Sequence, residues 1–173
     1  MKKAFILVDY QNDFIDGALG FEKAKTLKQN ILARLKNLDF SDTDLLITYD
    51  THGEDFLKTK EGLNLPVTHC LEGSKGWELP EDFAHFKQKA RKIFHKNTFG
   101  SLDLANFLQK EQYEQIEFAG LVSHICVFHN IILAFNAGLN TKLILHKNCT
   151  ASFDEGLENA AFDLLRAFWV ELV

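Results

Sequence analysis

The stretch QIEFAGLVSHICVFHNIILAFNAG, residues 115–138, decides the fold. Its first seven residues are mostly apolar, as in a strand that is buried on both faces. After Val122 the apolar side chains recur at helical spacing as far as Gly138, and glycine commonly follows the last turn of a helix. The stretch therefore predicts a strand, a short turn and a helix, with a single cysteine, Cys126, in the first helical turn.

Strands and helices alternate along the rest of the chain. Short segments with apolar residues predict five further strands: AFILVDY (4–10), DLLITYD (44–50), RKIFHK (91–96), TKLILHK (141–147) and FWVELV (168–173). Helical spacing predicts helices over 21–38, 101–109 and 153–167, and a long irregular region covers 51–90. Buried strands that alternate with helices are typical of a parallel sheet covered on both faces. We therefore predict an α/β fold, a three-layer α/β/α sandwich with a mostly parallel six-stranded sheet, in one domain over residues 1–173.

The composition excludes several classes of function. A net charge of -5 with 46% hydrophobic residues favours a globular protein and disfavours a general nucleic-acid binder. No apolar run is long enough for a membrane span, and we expect no secretory signal at the start of the chain. Three cysteines without a CxxC spacing argue against a disulfide framework and a cysteine-rich zinc site. We therefore expect a cytoplasmic protein that binds neither nucleic acid nor membrane.

Reactive side chains stand at the carboxyl ends of the predicted strands, where parallel α/β sheets bind their ligands. Asp9, Asp50 and Lys96 end the first three strands, and Cys126 follows the fourth. Each residue alone has a plain explanation, since an aspartate can cap a turn and a lysine can face solvent. Together they predict a site at one rim of the sheet.

Cys126 is the expected nucleophile of that site, although cysteine is also a common core residue. The first turn of a helix should lower the pKa of the thiol, because its partial positive charge and free N–H groups favour the thiolate. The same N–H groups could bind an oxyanion. Asp9 is the candidate to accept the thiol proton, and Lys96 would offset the negative charge. His129 is a competing base, but it points down the helix, and we expect a structural role for it.

A metal site is predicted beside the second strand. Asp50 and His52 lie two residues apart where the chain leaves the sheet, and His69 is the natural third ligand. One carboxylate and two imidazoles suit zinc, iron or manganese, with positions left for water or substrate, and zinc is our first expectation. Glu61 is the first choice for a fourth ligand and Glu54 the reserve. The alternative for both glutamates is an ordinary position facing solvent.

With these residues assembled, the chain resembles the isochorismatase-like cysteine hydrolases, and within them the nicotinamidases. The segments that carry the resemblance follow the family's order as far as residue 126: ILVDYQNDF, DTH, HCLEGSKGWEL, KNTFGS and GLVSHICV. The resemblance implies a catalytic triad of Asp9, Lys96 and Cys126. It also implies a cis peptide bond between Leu121 and Val122, which turns the Val122 N–H towards the oxyanion beside that of Cys126.

The resemblance further implies the substrate, a small carboxamide. We expect nicotinamide to be hydrolysed to nicotinate and ammonia through a thioester, with the family metal on the ring nitrogen. Some family members add a glutamate to the metal ligands at a spacing close to that of Glu61. Phe14 matches a family position that packs on the substrate ring, and we expect Leu121 to border the substrate as well.

Two residues depart from the family pattern. His124 stands where aspartate or glutamate is usual, and Pro66 stands where an aromatic residue is expected. Trp77 and Phe99 lie in loops that could supply the missing wall of the ring pocket, and ordinary packing would also explain them.

Three alternatives to a nicotinamidase stay open. The first is a hydrolase of another small amide, and the second is an isochorismatase-type vinyl-ether hydrolase, which would not need Cys126. The third is a non-catalytic binding protein on the same scaffold. Relatives often form oligomers, and the sequence leaves a homo-oligomer open without indicating its interface.

Overall fold

A computed structural model describes residues 2–138 and 140–173, in which six strands form one sheet. Their spatial order is β3-β2-β1-β4-β5-β6, and every described pairing is parallel. The strands are β1 (Lys3–Val8), β2 (Thr43–Asp50), β3 (Lys92–Lys96), β4 (Gln115–Leu121), β5 (Lys142–Ala151) and β6 (Glu171–Leu172). The predicted α/β fold with a six-stranded parallel sheet is confirmed.

Helices lie between the strands. They are α1 (Asn12–Ile15), α2 (Glu22–Thr26), α3 (Lys28–Lys36), α4 (Lys60–Asn64), α5 (Ala84–Lys89), α6 (Leu102–Glu111), α7 (Phe128–Ala137) and α8 (Glu155–Ala167). A π-helical turn, Ser123–Val127, precedes α7. Within the described residues, no helix is long and apolar enough to cross a bilayer.

The single helix predicted over 21–38 is wrong, because α2 and α3 are separated at Leu27. The carbonyl of Ala24 accepts a hydrogen bond from the buried Tyr10 hydroxyl at 3.1 Å and another from the Leu27 N–H at 3.3 Å. These bonds occupy the oxygen that a continuous helix would offer to Lys28. The interruption comes from a tertiary contact, which helical spacing does not reveal.

The sheet separates two apolar cores. Along β1, Phe5 and Leu7 face one side, while Ile6 and Val8 face the other. Helices α2, α3 and α5 pack on the first side, and α6, α7 and α8 pack on the second. The strands are therefore buried on both faces, which explains their mostly apolar sequences.

The end of β4 approaches β1 very closely. Gly120 has φ +122°, and a Cβ atom there would lie 1.9 Å from the Val8 carbonyl oxygen. Only glycine fits this conformation and this separation. The close approach brings the segment that carries Cys126 beside the end of β1, where Asp9 follows.

The region predicted to be irregular, 51–90, holds short helices and connects the sheet to its carboxyl rim. It includes α4, α5 and two 3₁₀ turns, Phe56–Lys58 and Glu81–Phe83. Strand β5 also runs to Ala151, beyond the predicted end at Lys147, and passes a register shift opposite Phe118 and Gly120.

Candidate active site

Asp9, Lys96 and Cys126 meet at the carboxyl rim of the sheet. Asp9 follows β1, Lys96 ends β3, and Cys126 lies in the π-helical turn after β4. The Lys96 Nζ atom is 2.6 Å from Asp9 Oδ2 and 3.6 Å from Cys126 Sγ. All three side chains are buried, so the sequence prediction that they come together agrees with the geometry.

Asp9 is held by its backbone and by Thr48. Its φ of +44° is one that few residues other than glycine adopt, and it turns the chain away from β1. The Thr48 hydroxyl donates to Asp9 Oδ1 at 2.6 Å. Lys96 pairs with Oδ2 off the hydrogen-bond axis, and no donor among residues 2–138 and 140–173 makes an aligned hydrogen bond to that oxygen. Oδ2 is therefore the oxygen available to accept a proton.

Burial controls the protonation of the triad. It raises the pKa of the Cys126 thiol well above its usual value, and the Lys96 ammonium only partly opposes it. The predicted lowering of this pKa is wrong, because the loss of water outweighs the helix N-terminus. Burial also raises the pKa of Asp9, again against Lys96. Burial alone would lower the pKa of Lys96, but the neighbouring carboxylates and thiol raise it well above its usual value.

A group of four side chains that could bind a metal ion lies next to the triad. Ligand atoms of Asp50, His52, Glu61 and His69 all lie within 4.8 Å of one another. Asp50 Oδ2 is 2.9 Å from His52 Nε2 and 3.4 Å from His69 Nε2, and Glu61 Oε1 is 3.5 Å from His69 Nε2. Glu54, the reserve ligand, is exposed and lies outside this group.

The donor set fits a divalent cation such as zinc, iron or manganese. Two imidazole nitrogens and two carboxylate oxygens are ligands these metals accept. The Nδ1 atom of His69 donates to the Val67 carbonyl at 2.8 Å, which leaves Nε2 facing the group as a ligand. Burial raises the pKa of Asp50, but Lys96 and then His52 reverse this and bring it below its usual value.

Lys96 connects the two groups, since its Nζ is also 3.2 Å from Asp50 Oδ1. The Lys96 ammonium thus contacts the Asp9 carboxylate, the Cys126 thiol and the carboxylate of Asp50, one of the four candidate metal ligands. The shared cation offsets the repulsion between the neighbouring carboxylates of Asp9 and Asp50.

Gln11, which sequence reasoning missed, links the segment after β1 to the end of β2 through its side-chain amide. Its Nε2 donates to the Asp50 carbonyl, and its Oε1 accepts from the Asp50 N–H, both at 2.8 Å. The same Nε2 donates to the Trp77 carbonyl at 2.8 Å. A glutamine directly after a buried strand was the available signal, because a buried amide must find several partners.

Asp13 fixes the loop that carries His69. Its Oδ2 accepts from the Cys70 N–H at 2.7 Å, one residue after His69. Its backbone N–H bonds to the Gly76 carbonyl, and a Cβ on Gly76 would lie 2.2 Å from the Asp13 carboxylate. This loop therefore packs directly on the segment after β1.

Asn130 fixes the loop after Lys96 to the turn that carries Cys126. Its Nδ2 donates to the carbonyls of Cys126 at 2.8 Å and Phe99 at 3.2 Å, and its Oδ1 accepts from the Ser101 N–H at 3.0 Å. The side chain is fully buried and uses both ends of its amide. Its helical position, four residues after Cys126, was a signal that sequence reasoning did not use.

Of the predicted substrate contacts, Phe14 lies beside the candidate metal ligand His69, Leu121 lies at the end of β4, and Trp77 packs away from both. The ring of Phe14 is buried 5.5 Å from the His69 ring, and Leu121 is buried at the end of β4. Trp77 stacks on His95 at 5.5 Å and donates from Nε1 to Thr51 Oγ1 at 2.9 Å. Packing accounts for this indole.

Phe99 also packs against a neighbour, since its half-exposed ring lies 5.4 Å from the ring of His129. His129 is exposed, and its Nδ1 lies 2.8 Å from the Ile125 carbonyl of its own helix. This geometry favours the structural role expected for His129.

Comparison with known proteins identifies the family. The family model for the Isochorismatase domain matches residues 3–173. The chain belongs to the isochorismatase family. It is 28% identical over 170 residues to an uncharacterized isochorismatase family protein, PncA, of Bacillus subtilis (strain 168), and the match covers 90% of this chain and 89% of that protein.

Solved structures of the family agree. The nicotinamidase PncA from Bacillus subtilis matches with a TM-score of 0.86 and 25% identity, covering 100% of this chain and 99% of that one. The pyrazinamidase of Pyrococcus horikoshii, in complex with zinc, shares the fold with a TM-score of 0.83 and 20% identity, over 100% of this chain and 99% of that one. Within the isochorismatase family the chain therefore resembles nicotinamidases.

In this isochorismatase-family chain the Leu121–Val122 peptide bond is cis, as the resemblance implied. The two residues that depart from the family pattern lie in different surroundings. His124 Nδ1 is 2.8 Å from Ser152 Oγ, and its ring packs edge-on against Phe153 at 5.3 Å. Pro66 is exposed. The imidazole at position 124 therefore hydrogen-bonds to the hydroxyl of Ser152, the residue just after β5.

Proposed function

We propose that this protein hydrolyses a small carboxamide, with nicotinamide as the substrate and nicotinate and ammonia as products. Its family and its similarity to nicotinamidases make it a hydrolase of an amide C–N bond. One observation carries the finer proposal: Lys96 Nζ lies 3.6 Å from Cys126 Sγ and also contacts the carboxylates of Asp9 and Asp50. A nucleophile, a base and a metal-type group are thereby joined in one site.

Cys126 attacks the amide carbon in the proposed reaction, and Asp9 accepts the thiol proton as the S–C bond forms. Burial raises the pKa of both groups, so proton transfer during the attack avoids a free buried thiolate. Asp9 then gives this proton to the departing ammonia, which leaves a thioester on Cys126. Water attacks the thioester with Asp9 again as the base. The C–S bond then breaks, Asp9 returns the proton to the Cys126 sulfur, and the acid leaves as nicotinate after losing its proton to solvent.

Two backbone N–H groups complete the proposed chemistry. Those of Val122 and Cys126 would bind the oxyanion that forms on the amide oxygen, and loss of one such donor typically costs about 100–1,000-fold in turnover. Lys96 stays protonated, because its pKa is raised, and it orients Asp9 and Cys126. Its charge also compensates the negative charge that moves between acid and sulfur.

A divalent metal fits the adjoining group, with zinc preferred and iron or manganese as alternatives. Asp50, His52, Glu61 and His69 would hold it. When bound, it supplies a Lewis acid for the ring nitrogen of the substrate. Phe14 would pack on the ring, since it lies beside His69.

The remaining predicted substrate contacts, Leu121, Trp77 and Phe99, stay predictions, as does a cytoplasmic location. A single domain over residues 1–173 is also part of the proposal.

Ammonia release from nicotinamide by protein of measured metal content tests the function. Cys126→Ala should abolish turnover, because no other group forms the thioester, while nicotinamide binding measured by calorimetry persists. Cys149→Ala is the matched control, since Cys149 is also a buried free thiol but lies in β5, and it should keep its activity. Ammonia release by Cys126→Ala at the wild-type rate would refute the nucleophile.

A different small amide is the second candidate, and the two departures from the family pattern favour it. Pro66 offers no aromatic ring where an aromatic wall is expected, and His124 stands close to Cys126 where the family usually has an acidic residue. A panel of aromatic and aliphatic carboxamides in the same ammonia assay separates the candidates. A higher kcat/KM for another amide would retain the mechanism and change the substrate.

A further inference from the structure

We propose that the outer side of α8 forms a two-fold symmetric homodimer interface, in which the α8 helices of two copies pack antiparallel. This inference is independent of the proposed function. Helix α8 buries Ala161 and Leu165 in the core, yet Leu157 and Leu164 are 51% and 49% exposed. The two leucines are seven residues apart and therefore lie on one side of the helix.

The exposed stripe continues at both ends of α8. Phe153, just before the helix, is 63% exposed, and Phe168, just after it, is also exposed. Ala160 is exposed between the two leucines. Leu157 and Leu164 share one side of the helix, and Phe168 follows Leu164 by four residues. Phe153 lies just before the extended N-cap residue Asp154 and flanks the stripe at its other end.

The apolar residues of this stripe are placed symmetrically about the midpoint of residues 160 and 161: Leu157 and Leu164 are equally far from it, and so are Phe153 and Phe168. A two-fold axis there places Leu157 opposite Leu164 of the second copy, and Phe153 opposite Phe168 of the second copy. Isologous interfaces require such self-complementarity, because each surface meets itself in reverse. The small side chain of Ala160 at the centre lets the helices approach closely.

Aromatic clusters lie at both ends of the stripe. At one end Phe168 packs with Phe135 at 6.2 Å, and Phe135 packs with Trp169 at 6.2 Å. At the other end Phe153 packs with Phe21 at 5.9 Å and with His124. Antiparallel packing would bring the first cluster of one copy onto the second cluster of the other, twice by symmetry.

Trp169 adds a second observation. It has φ +61° just after α8, where glycine is usual, and its Val170 neighbour closes the helix with an N–H bond to the Leu165 carbonyl. The left-handed conformation is unfavourable for a residue other than glycine, because Cβ comes too close to the following carbonyl oxygen. Even so, the indole is 84% exposed, so nothing among the described residues explains a bulky apolar side chain at this cap.

The exposed area also suits a second copy. The exposed apolar side chains of the stripe and its ends together expose on the order of 700 Å², taking aromatic residues at about 150–250 Å² each. They are Phe135, Phe153, Leu157, Leu164, Phe168 and Trp169. A stable interface needs about 800 Å² from each partner, whereas a monomer rarely exposes such a patch.

Charges on α8 do not interrupt the stripe. Glu158 accepts from the Ser123 hydroxyl at 2.9 Å, and Asp163 pairs with Arg166 at 2.7 Å. Both acidic side chains are therefore engaged within their own copy. An apolar, self-complementary surface of this size favours a second copy over a charged partner.

Sedimentation velocity of the full chain from about 1 to 100 μM measures the association. We expect a concentration-dependent dimer, and Leu164→Glu should weaken it at least tenfold, because the substitution buries two like charges near the axis. Leu63→Glu is the matched control, since Leu63 is a helical leucine, 72% exposed, in α4 and not in α8. It should associate like the wild type, and circular dichroism should show both variants folded.

A cross-link tests the antiparallel geometry. Ala160→Cys should form a disulfide-linked dimer on mild oxidation, because the two-fold axis brings both copies of residue 160 together. Leu63→Cys should not, and the native cysteines are buried. A wild-type monomer at 100 μM, an unchanged dimer in Leu164→Glu, or a dimer that Ala160→Cys fails to cross-link would each overturn the proposal.

Discussion

Two buried carboxylates, Asp9 at the rim of the sheet and Glu117 on β4, both contact cations, but their pKa values shift in opposite directions. Burial raises the pKa of Glu117, but His146 and Arg34 reverse this and bring it to about 2. Gln115 also donates to Glu117 at 2.9 Å. Burial raises the pKa of Asp9 as well, and there Lys96 does not reverse it.

Burial, neighbouring charge and hydrogen bonds together make the difference. Asp9 loses more of its solvent and has the Asp50 carboxylate beside it, whereas Glu117 is paired with both His146 and Arg34. Glu117 receives directed hydrogen bonds on both oxygens, including one from Arg34 Nε at 3.2 Å. Asp9 receives one on Oδ1 from Thr48, while Oδ2 has only the off-axis ion pair with Lys96. A carboxylate with satisfied oxygens stabilises the fold, whereas one with an oxygen left available can exchange a proton.

The largest expected effect is on turnover when the rim carboxylate is changed. Asp9→Asn should lower kcat/KM for amide hydrolysis by roughly 1,000-fold, because the amide cannot accept the thiol proton. Glu117→Gln is the control in the same ammonia assay and should retain turnover. Equal losses in the two variants would remove the functional distinction between the two carboxylates.

Metal binding is the next test, because each region combines carboxylate with histidine. His69→Ala should weaken binding of zinc by roughly 100-fold, since it removes one of four ligands. Equilibrium dialysis with metal analysis measures this without the enzyme assay. His146→Ala removes the histidine beside Glu117 and should leave the metal content unchanged. Loss of metal from His146→Ala would show that the metal binds beside Glu117 and not at His69.

Stability should respond to Glu117 rather than to an exposed glutamate. Glu117→Gln should lower the free energy of unfolding by about 3–4 kcal/mol at pH 7, because the pKa of Glu117 is lowered from 4.5 to about 2 and one pKa unit corresponds to about 1.4 kcal/mol. Urea unfolding measures this, with Glu22→Gln as the control, since the exposed Glu22–Lys25 pair contributes little.

The same measurement has a defined pH dependence. The folded-state pKa of Glu117 is lowered from 4.5 to about 2, so its stabilisation is present above 4.5 and is lost as the pH falls through 2. The wild type and Glu117→Gln should therefore converge in stability between these values. A constant difference down to pH 2 would contradict the ion-pair explanation.

The smallest effect is expected from the hydroxyl on Asp9. Thr48→Val removes the hydrogen bond to Oδ1 without changing the shape of the side chain, and it should lower kcat about tenfold with KM unchanged, since about 1.4 kcal/mol is tenfold. Gln115→Met removes the corresponding donor on Glu117 and should leave kcat unchanged. A Thr48→Val change confined to KM would show that the hydroxyl does not position the base.

Sequence reasoning placed the triad because strand ends share an edge. Asp9, Asp50 and Lys96 each end or follow an apolar strand, and Cys126 begins the next helix, so parallel topology brings them together. The fourth metal-type ligand could not be assigned in this way. Glu61 and Glu54 are both loop glutamates, and Glu61 reaches His69 because the Thr59 hydroxyl caps α4 by accepting from Gly62 N at 3.0 Å.

The residues that sequence reasoning missed are polar side chains that hydrogen-bond to groups far away in the chain: backbone for Gln11 and Asn130, and the Asp9 carboxylate for Thr48. Gln11, Thr48 and Asn130 each bridge segments that lie far apart in the chain. Their types and positions show only that each needs partners. Which partner each one finds depends on the packing of strands and loops against one another.

The sequence by itself determined the order of strands and helices and the residues at the strand ends, because apolar periodicity and strand termini are local properties. Only the tertiary structure decided the pKa of Cys126, the break at Leu27 and the choice of Glu61. Each depends on burial or on a contact between distant segments: desolvation of the thiol, the Tyr10 hydroxyl on Ala24, and the fold of α4 beneath His69.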